Sequence, residues 1–257
     1  MPSRNRIGDG AARMIHTALL VVLGAFLAAL LRGFTGFGFV MAAVPLLSLA
    51  LPPTRVVPLA ILLQIEVGLI DIPVAVRLCD WRSLAWLAPG MVLGTPLGLL
   101  VLTSLSTGNA RLAIGLLIAG SVAVLACGVR LPERPSRWLT LGVGMVSGTM
   151  SGLAGMSGPP VVAYLLALPH STAVVRASAI VFFVITASVA LVPMTGEGLV
   201  NERLLVFAVI AFPTLFAGAR AGAWGFRRTT PRQHRATALV VLSLLALMLI
   251  LRGLAQT

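Results

Sequence analysis

Gly33-Phe-Thr-Gly36-Phe-Gly38 and Gly155-Met-Ser-Gly158-Pro-Pro160 decide how the rest of this chain is read. Gly33 precedes Gly155 by 122 residues, and both stretches set the order Gly-x-[Thr/Ser]-Gly between two apolar segments. The segment that follows each turn is short, residues 37–51 and 159–168, where a spanning helix needs about 20 apolar residues. Short apolar pieces after glycine turns are predicted to be half-helices. Segments 15–31 and 37–51 then form one V, and segments 138–154 and 159–168 form a second. Their tips, Gly33 to Gly38 and Gly155 to Gly158, belong near the middle of the bilayer. Non-helical backbone is stable at that depth only where it is buried in protein or lines a wet cavity.

Composition supports the membrane setting. The 257 residues are 58% hydrophobic and 10% charged, with a mean hydropathy of +1.03, whereas a soluble domain carries roughly 25% charged residues. Apolar stretches recur from Met14 to Leu251, as in a polytopic helical membrane protein. All 19 basic residues are Arg, and with 7 acids the net charge is +12. Because the arginines lie between apolar segments, they set topology and meet anionic headgroups; the partner they imply is membrane lipid, not nucleic acid. Cys79 and Cys127 lack metal-ligand spacing, and His16, His170 and His234 are far apart, so neither a metal nor a cofactor is expected. Arg4, Arg6 and Arg13 before the apolar run from Met14 to Leu31 look like a signal peptide. That run has a counterpart later in the chain and no persuasive A-x-A site after it, so it reads as a membrane segment.

Turn and charge signals give ten segments: 15–31, 37–51, 56–77, 84–104 and 111–129, then 138–154, 159–168, 174–194, 204–226 and 236–251. Arg130-Leu-Pro-Glu-Arg-Pro-Ser-Arg137 divides them five and five. The halves match in detail: Arg55 opens the third segment as Arg176 opens the eighth, and Pro89, Gly94 and Gly98 precede Pro213, Gly218 and Gly222 by 124 residues. This is the mark of an internal duplication. The expected organisation is an N-terminal tail 1–14, a first membrane repeat 15–129, a connector 130–137 and a second membrane repeat 138–254. An odd number of segments per half makes the repeats inverted. The expected fold is therefore an all-α polytopic membrane protein of two inverted repeats with broken half-helices. Loops 77–83, 130–137, 170–176 and 227–235 hold ten Arg, and the opposite loops and tails hold seven. The positive-inside rule puts the 227–235 loop in the cytoplasm and both termini outside, although the basic tail argues the other way.

Two half-helix N-termini aimed at one cavity suit a small anion, because their amides are unsatisfied and carry partial positive charge. Candidate substrate contacts are Thr35, Gly36 and Gly38 in the first turn and Ser157 and Gly158 in the second. Arg55 and Arg176 either guide an anion inward or anchor the membrane interface. Gly94, Gly98, Gly218 and Gly222 read as packing glycines. Arg32, Glu66, Asp71 and Arg220 are charged residues in apolar surroundings. Glu66, midway along the third segment, is the candidate to carry a coupled proton, or else it is paired structurally with Arg32 or Arg220. Asp71, before Ile72-Pro73, either snorkels or caps a kink.

Two other classes compete. Gly155-Met-Ser157-Gly158 fits the Gly-x-Ser-Gly pattern of rhomboid intramembrane serine proteases, but His170 and His234 lie at segment ends and supply no base for the serine. A membrane scaffold without transport needs neither Glu66 nor mirrored half-helices. The chain has no Lys, so it has no Walker-type nucleotide loop.

With both turns in view, the chain resembles the sulfite exporter TauE/SafE family of bacterial membrane permeases. The resemblance rests on Gly33-Phe-Thr-Gly-Phe-Gly38 leading to Val44-Pro45-Leu46-Leu47, on Ser151-Gly-Leu-Ala-Gly155-Met-Ser-Gly-Pro-Pro160 leading to Leu165-Leu166, and on Gly218-Ala-Arg220-Ala-Gly222. It implies a secondary transporter of small anions such as sulfite or organosulfonates, multi-pass in the bacterial cell inner membrane, and not an enzyme. Substrate identity, direction, the coupling ion and assembly as a homo-oligomer are left open. Phe37 and Phe39 around Gly38, and Pro159-Pro160 after Gly158, depart from the family's glycine triplet and make both turns more apolar. A carboxylate fits such a cavity as well as sulfite.

Overall fold

The computed structural model describes residues 3–35, 38–127, 135–226, 228 and 231–256. These residues form helices and connecting turns, with no strand among them. In chain order the helices are α1 (Ser3–Thr35), α2 (Phe39–Leu47), α3 (Pro53–Leu69), α4 (Ile72–Leu78), α5 (Trp81–Ser104), α6 (Thr107–Cys127), α7 (Arg137–Ala154), α8 (Gly158–Ala167), α9 (Thr172–Gly196), α10 (Glu202–Phe226) and α11 (Pro231–Leu254). Five are long and apolar enough to cross a membrane, or six if the bent pair α3 and α4 is one span.

The expected segments match these helices with three differences. The third segment is not one rod: α3 and α4 meet at a bend of 75° around Ile70 and Asp71. Pro73 stands in the first turn of α4, where its missing N–H costs nothing, while its ring disfavours helical backbone at the residue before it. Helix α1 opens at Ser3, inside the stretch expected to be a tail. Gly33 lies within α1 and so belongs to a helix, not to the first turn.

Helix α1 shows why this packing suits lipid. Val21, Ala25, Ala28 and Ala29 are buried, while Ile15, Leu19, Leu23 and Leu27, spaced by four, are exposed. Small residues inside and large apolar ones outside is the reverse of a soluble helix and the arrangement that bilayer packing favours. The tightest pairs are α5 with α7 and α1 with α10. A Cβ on Gly94 would lie 2.1 Å from the Met145 carbonyl oxygen, one on Gly98 2.0 Å from that of Thr149, and one on Gly222 2.0 Å from that of Leu30. Gly218 and Gly33 are also too close for a Cβ, at 2.5 Å from the carbonyl oxygen of Phe26 and 2.2 Å from that of Ala219. The packing role expected of Gly94, Gly98, Gly218 and Gly222 is what the structure shows.

Exchanging the two sets of five segments maps the most extensive packed pairs onto one another, although the smaller pairs α7 with α9, α3 with α6 and α3 with α5 have no equally extensive counterpart. Helix α1 on α10 becomes α7 on α5, α3 on α10 becomes α9 on α5, and α2 on α11 becomes α8 on α6. The pairs α3 with α9 and α6 with α11 map onto themselves. Helix α4 breaks the correspondence, because it packs on α9 and the second set has no bent partner for it.

Candidate functional site

Each elbow turns on a glycine whose left-handed backbone other residues rarely adopt. Gly38 (φ 83°) precedes α2 and Gly155 (φ 70°) ends α7, a conformation that costs glycine little and other residues more. At the second elbow Gly155 N–H donates to Ser151 O at 2.7 Å and Met156 N–H to Met150 O at 3.2 Å. This closure satisfies carbonyls of the last turn of α7. At the first elbow Ala42 N–H donates to Gly38 O at 3.2 Å, starting α2.

Both elbows face one cavity. Gly38, Phe39, Val40 and Met41 line it from one side and Gly155, Met156, Ser157, Gly158 and Pro159 from the other; Arg32, Gln64, Ser151, Val162, Ile180, Phe183 and Ala187 complete the wall. It is partly open and has a volume of about 40 Å³. The first turn of α2 leaves the amides of Phe39, Val40 and Met41 without acceptors inside the helix. The start of α8 offers fewer, since Pro159 and Pro160 have no N–H and leave Ser157 and Gly158 as its amide donors. The Ser157 hydroxyl makes no capping bond to α8 and is buried at the cavity wall beside Ser151 and Gln64. Arg32, in the last turn of α1, adds a guanidinium that is ion-paired with Asp71 where the helix ends in carbonyls. The cavity is thus apolar over much of its wall, with donors converging from two helix starts.

The sequence-derived candidates separate on this geometry. Gly38, Ser157 and Gly158 stand together at the cavity. Gly36 and the Thr35 side chain lie outside the described residues. Arg55 is exposed at the start of α3 and is not in this wall. Arg176 is exposed in the first turns of α9 and lines a second cavity, described below. Glu66 is half-buried on α3 and absent from the lining; its Oε2 is buried without a hydrogen-bond partner. Its structural pairing with Arg32 or Arg220 is not observed. Arg32 binds Asp71 instead, Nη2 to Oδ2 at 2.9 Å, and the Arg220 guanidinium sits 4.4 Å from the Phe216 ring centroid. Asp71 does stand at the kink, immediately before α4, but its side chain makes no cap bond. Gln64 and Ser151 were missed by sequence reading. Gln64, a lone amide inside an apolar run, was the available signal; Ser151 had none, being one of many small residues on α7.

Outside the cavity wall, Asp80 ties the halves together. Its carboxylate accepts from the amides of Arg82 and Ser83 at the start of α5, its own N–H donates to Ser178 Oγ at 2.8 Å, and Oδ2 meets His170 Nε2 at 2.9 Å. Burial pushes this carboxyl up, but the hydrogen bonds from Ser83 and His170 outweigh it and hold the group below the usual carboxylate range. No cluster of His, Cys, Asp and Glu suited to a metal occurs among the described residues.

With this geometry in hand the comparisons fall into place. The model of the family described as Sulfite exporter TauE/SafE matches residues 21–249. The chain belongs to that family. Among curated proteins it is 27% identical over 194 residues to a protein of Cupriavidus necator named "Probable sulfite/organosulfonate exporter TauE", covering 73% of this chain and 76% of the relative. It is 28% identical over 169 residues to a protein of Comamonas testosteroni named "Probable inner membrane transporter protein TsaS", covering 63% of this chain and 70% of the relative. No solved structure matches. The matched TauE/SafE region contains both elbows and all of the cavity wall. The protease and scaffold readings draw no support from any match. Of the two histidines after Ser157, His170 is engaged by Asp80.

Proposed function

We propose that this protein is a secondary transporter that carries small sulfur-containing oxyanions, of the sulfite or organosulfonate class, across the bacterial inner membrane. The observation that carries this reading is the convergence of two half-helix starts, Gly38 to Met41 and Ser157 to Gly158, on one cavity that also holds Arg32. An oxyanion there exchanges water for backbone amides, the Ser157 hydroxyl and the Gln64 amide, so its charge is compensated without a dedicated lysine. Membership in the TauE/SafE family and the names of the two relatives support the same class of cargo. A sulfonate's organic group is accommodated by Met41, Val162 and Phe183 on the apolar wall.

The two membrane repeats, 15–129 and 138–254, are inverted copies that rock about the elbow cavity and expose it alternately to each side. The self-consistent exchange of packed helix pairs supports that division. Glu66, whose Oε2 has no partner, takes up and releases the proton that couples to anion movement. Thr35 and Gly36 contribute at the first elbow, and Arg55 attracts anions at the membrane surface.

Purified protein in liposomes, offered labelled sulfite, thiosulfate, sulfonates and carboxylates, tests the reading. Saturable flux of the sulfur oxyanions that unlabelled sulfite inhibits is the expected result. Absence of flux for the whole panel from correctly folded protein overturns it.

A further inference from the structure

A second cavity, of about 230 Å³, shares Arg32 with the first and is lined by Arg32, Asp71, Arg176 and Arg220 among small and apolar residues. We propose that it is a second anion site, a loading vestibule for a sulfite-class oxyanion, in which Asp71 holds Arg32 as an internal counter-ion that the arriving anion displaces. This rests on the transporter reading above and deepens it.

Four observations support the vestibule. Three guanidinium groups share its wall with one carboxylate, and that carboxylate is committed to Arg32 at 2.9 Å. Arg176 and Arg220 make no ion pair among the described residues, and Arg220 is held against the Phe216 ring. Two unpaired forks on an open wall can each bind a pair of oxygens of a sulfite or sulfonate. Second, Arg32 lines both cavities, so it stands at the boundary an anion must pass. Third, helix α9 carries one continuous face from the first cavity to the second. Arg176 faces the vestibule, and Ile180, Phe183 and Ala187 face the elbows. Spacings of four, three and four residues keep these side chains on one side of α9, over roughly 16 Å at 1.5 Å per residue.

Fourth, the charge is confined to one end of the molecule. By the offsets between the halves, the counterpart of Arg32 is Ala154 and that of Arg220 is Pro96; only Arg176 has a charged counterpart, Arg55. The repeat therefore does not require these arginines for packing, and the opposite end lacks the same cluster. The vestibule lies toward the loops 77–83, 170–176 and 227–235, the arginine-rich face that the positive-inside rule assigns to the cytoplasm. A cationic funnel there concentrates anions for outward movement.

The test uses radiolabelled sulfite on the full-length protein. In liposomes, Arg176→Gln with Arg220→Gln lowers flux at low sulfite about tenfold and is relieved at saturating sulfite, because guanidinium attraction governs capture more than turnover. Raising ionic strength slows the parent protein at low sulfite and leaves this double variant little changed. Flux and salt response equal to the parent's overturn the vestibule. In equilibrium binding, Gly158→Val closes the elbow but retains sulfite binding, which Arg176→Gln with Arg220→Gln then removes; a folded Gly158→Val protein that binds no sulfite refutes a second site. Asp71→Asn tightens binding by about threefold or more by freeing Arg32, and unchanged binding removes the counter-ion role. Gly158→Val with parental flux counts against the elbow reading alone, since the arginine arm still reports on the vestibule.

Discussion

Gly158→Val separates cavity function from folding. The Cβ of residue 158 would stand 3.5 Å from Phe183 Cζ and 3.7 Å from Cε1, an ordinary contact, so the first added carbon fits. The two γ-methyls then occupy the space beside the Gly158 and Ser157 amides. Pro159 disfavours helical backbone before it once a Cβ is present, a cost of about 1 kcal/mol that Gly158→Ala shares. The alanine variant is therefore the control for folding. Excluding the anion from one backbone donor removes a charge-assisted hydrogen bond of about 1.5 to 3 kcal/mol, which is roughly 10- to 100-fold in transport efficiency at 1.4 kcal/mol per decade. Initial rates of labelled sulfite flux in liposomes, measured beside thermal melting in detergent, provide the comparison. The expected result is a valine variant that melts with the alanine variant but transports at least about tenfold less efficiently than it. A valine variant that melts normally and transports like the parent would show that the elbow does not hold the anion.

Three further outcomes follow from the geometry. Gly98→Ala forces a Cβ to within 2.0 Å of the Thr149 carbonyl and separates α5 from α7, costing about 3 kcal/mol or more. Gly120→Ala, with nothing within 4 Å of its Cβ, is its neutral control, and equal melting of the two variants contradicts the packing account. Asp80→Ala removes the cap of α5 and the His170 contact and lowers stability by about 1 kcal/mol. Because the folded-state carboxyl is held below its unfolded value, its contribution is complete above the ordinary carboxylate range and is lost as pH falls through the folded-state value. The stability gap between parent and Asp80→Ala therefore narrows on acidification, and a gap that widens below pH of about 4 rejects this. Glu66→Gln flattens the pH profile of sulfite flux with little change in melting; an unaltered profile eliminates Glu66 as the proton carrier.

The sequence itself settles the solvent, the helical class and the presence of two glycine elbows, the first of which the structure narrows by placing Gly33 inside α1. Lipid-length apolar runs admit few alternatives, and Gly38 and Gly155 mark places where only glycine takes the required backbone at low cost. Spacing also identified Gly94, Gly98, Gly218 and Gly222 as contact points, since close backbone approach excludes any side chain. What spacing could not supply was partnership. Arg32 is 39 residues from Asp71 and 34 from Glu66, and nothing along the chain favours one acid over the other. The 75° bend between α3 and α4 chose Asp71 by turning it away from the line of α3. Likewise Gln64 and Ser151 share a cavity with the elbows only because of where α3 and α7 each run in the tertiary structure. Local sequence fixes where a helix must start, stop or come close; which charges and polar groups then meet depends on helix directions that only tertiary packing determines.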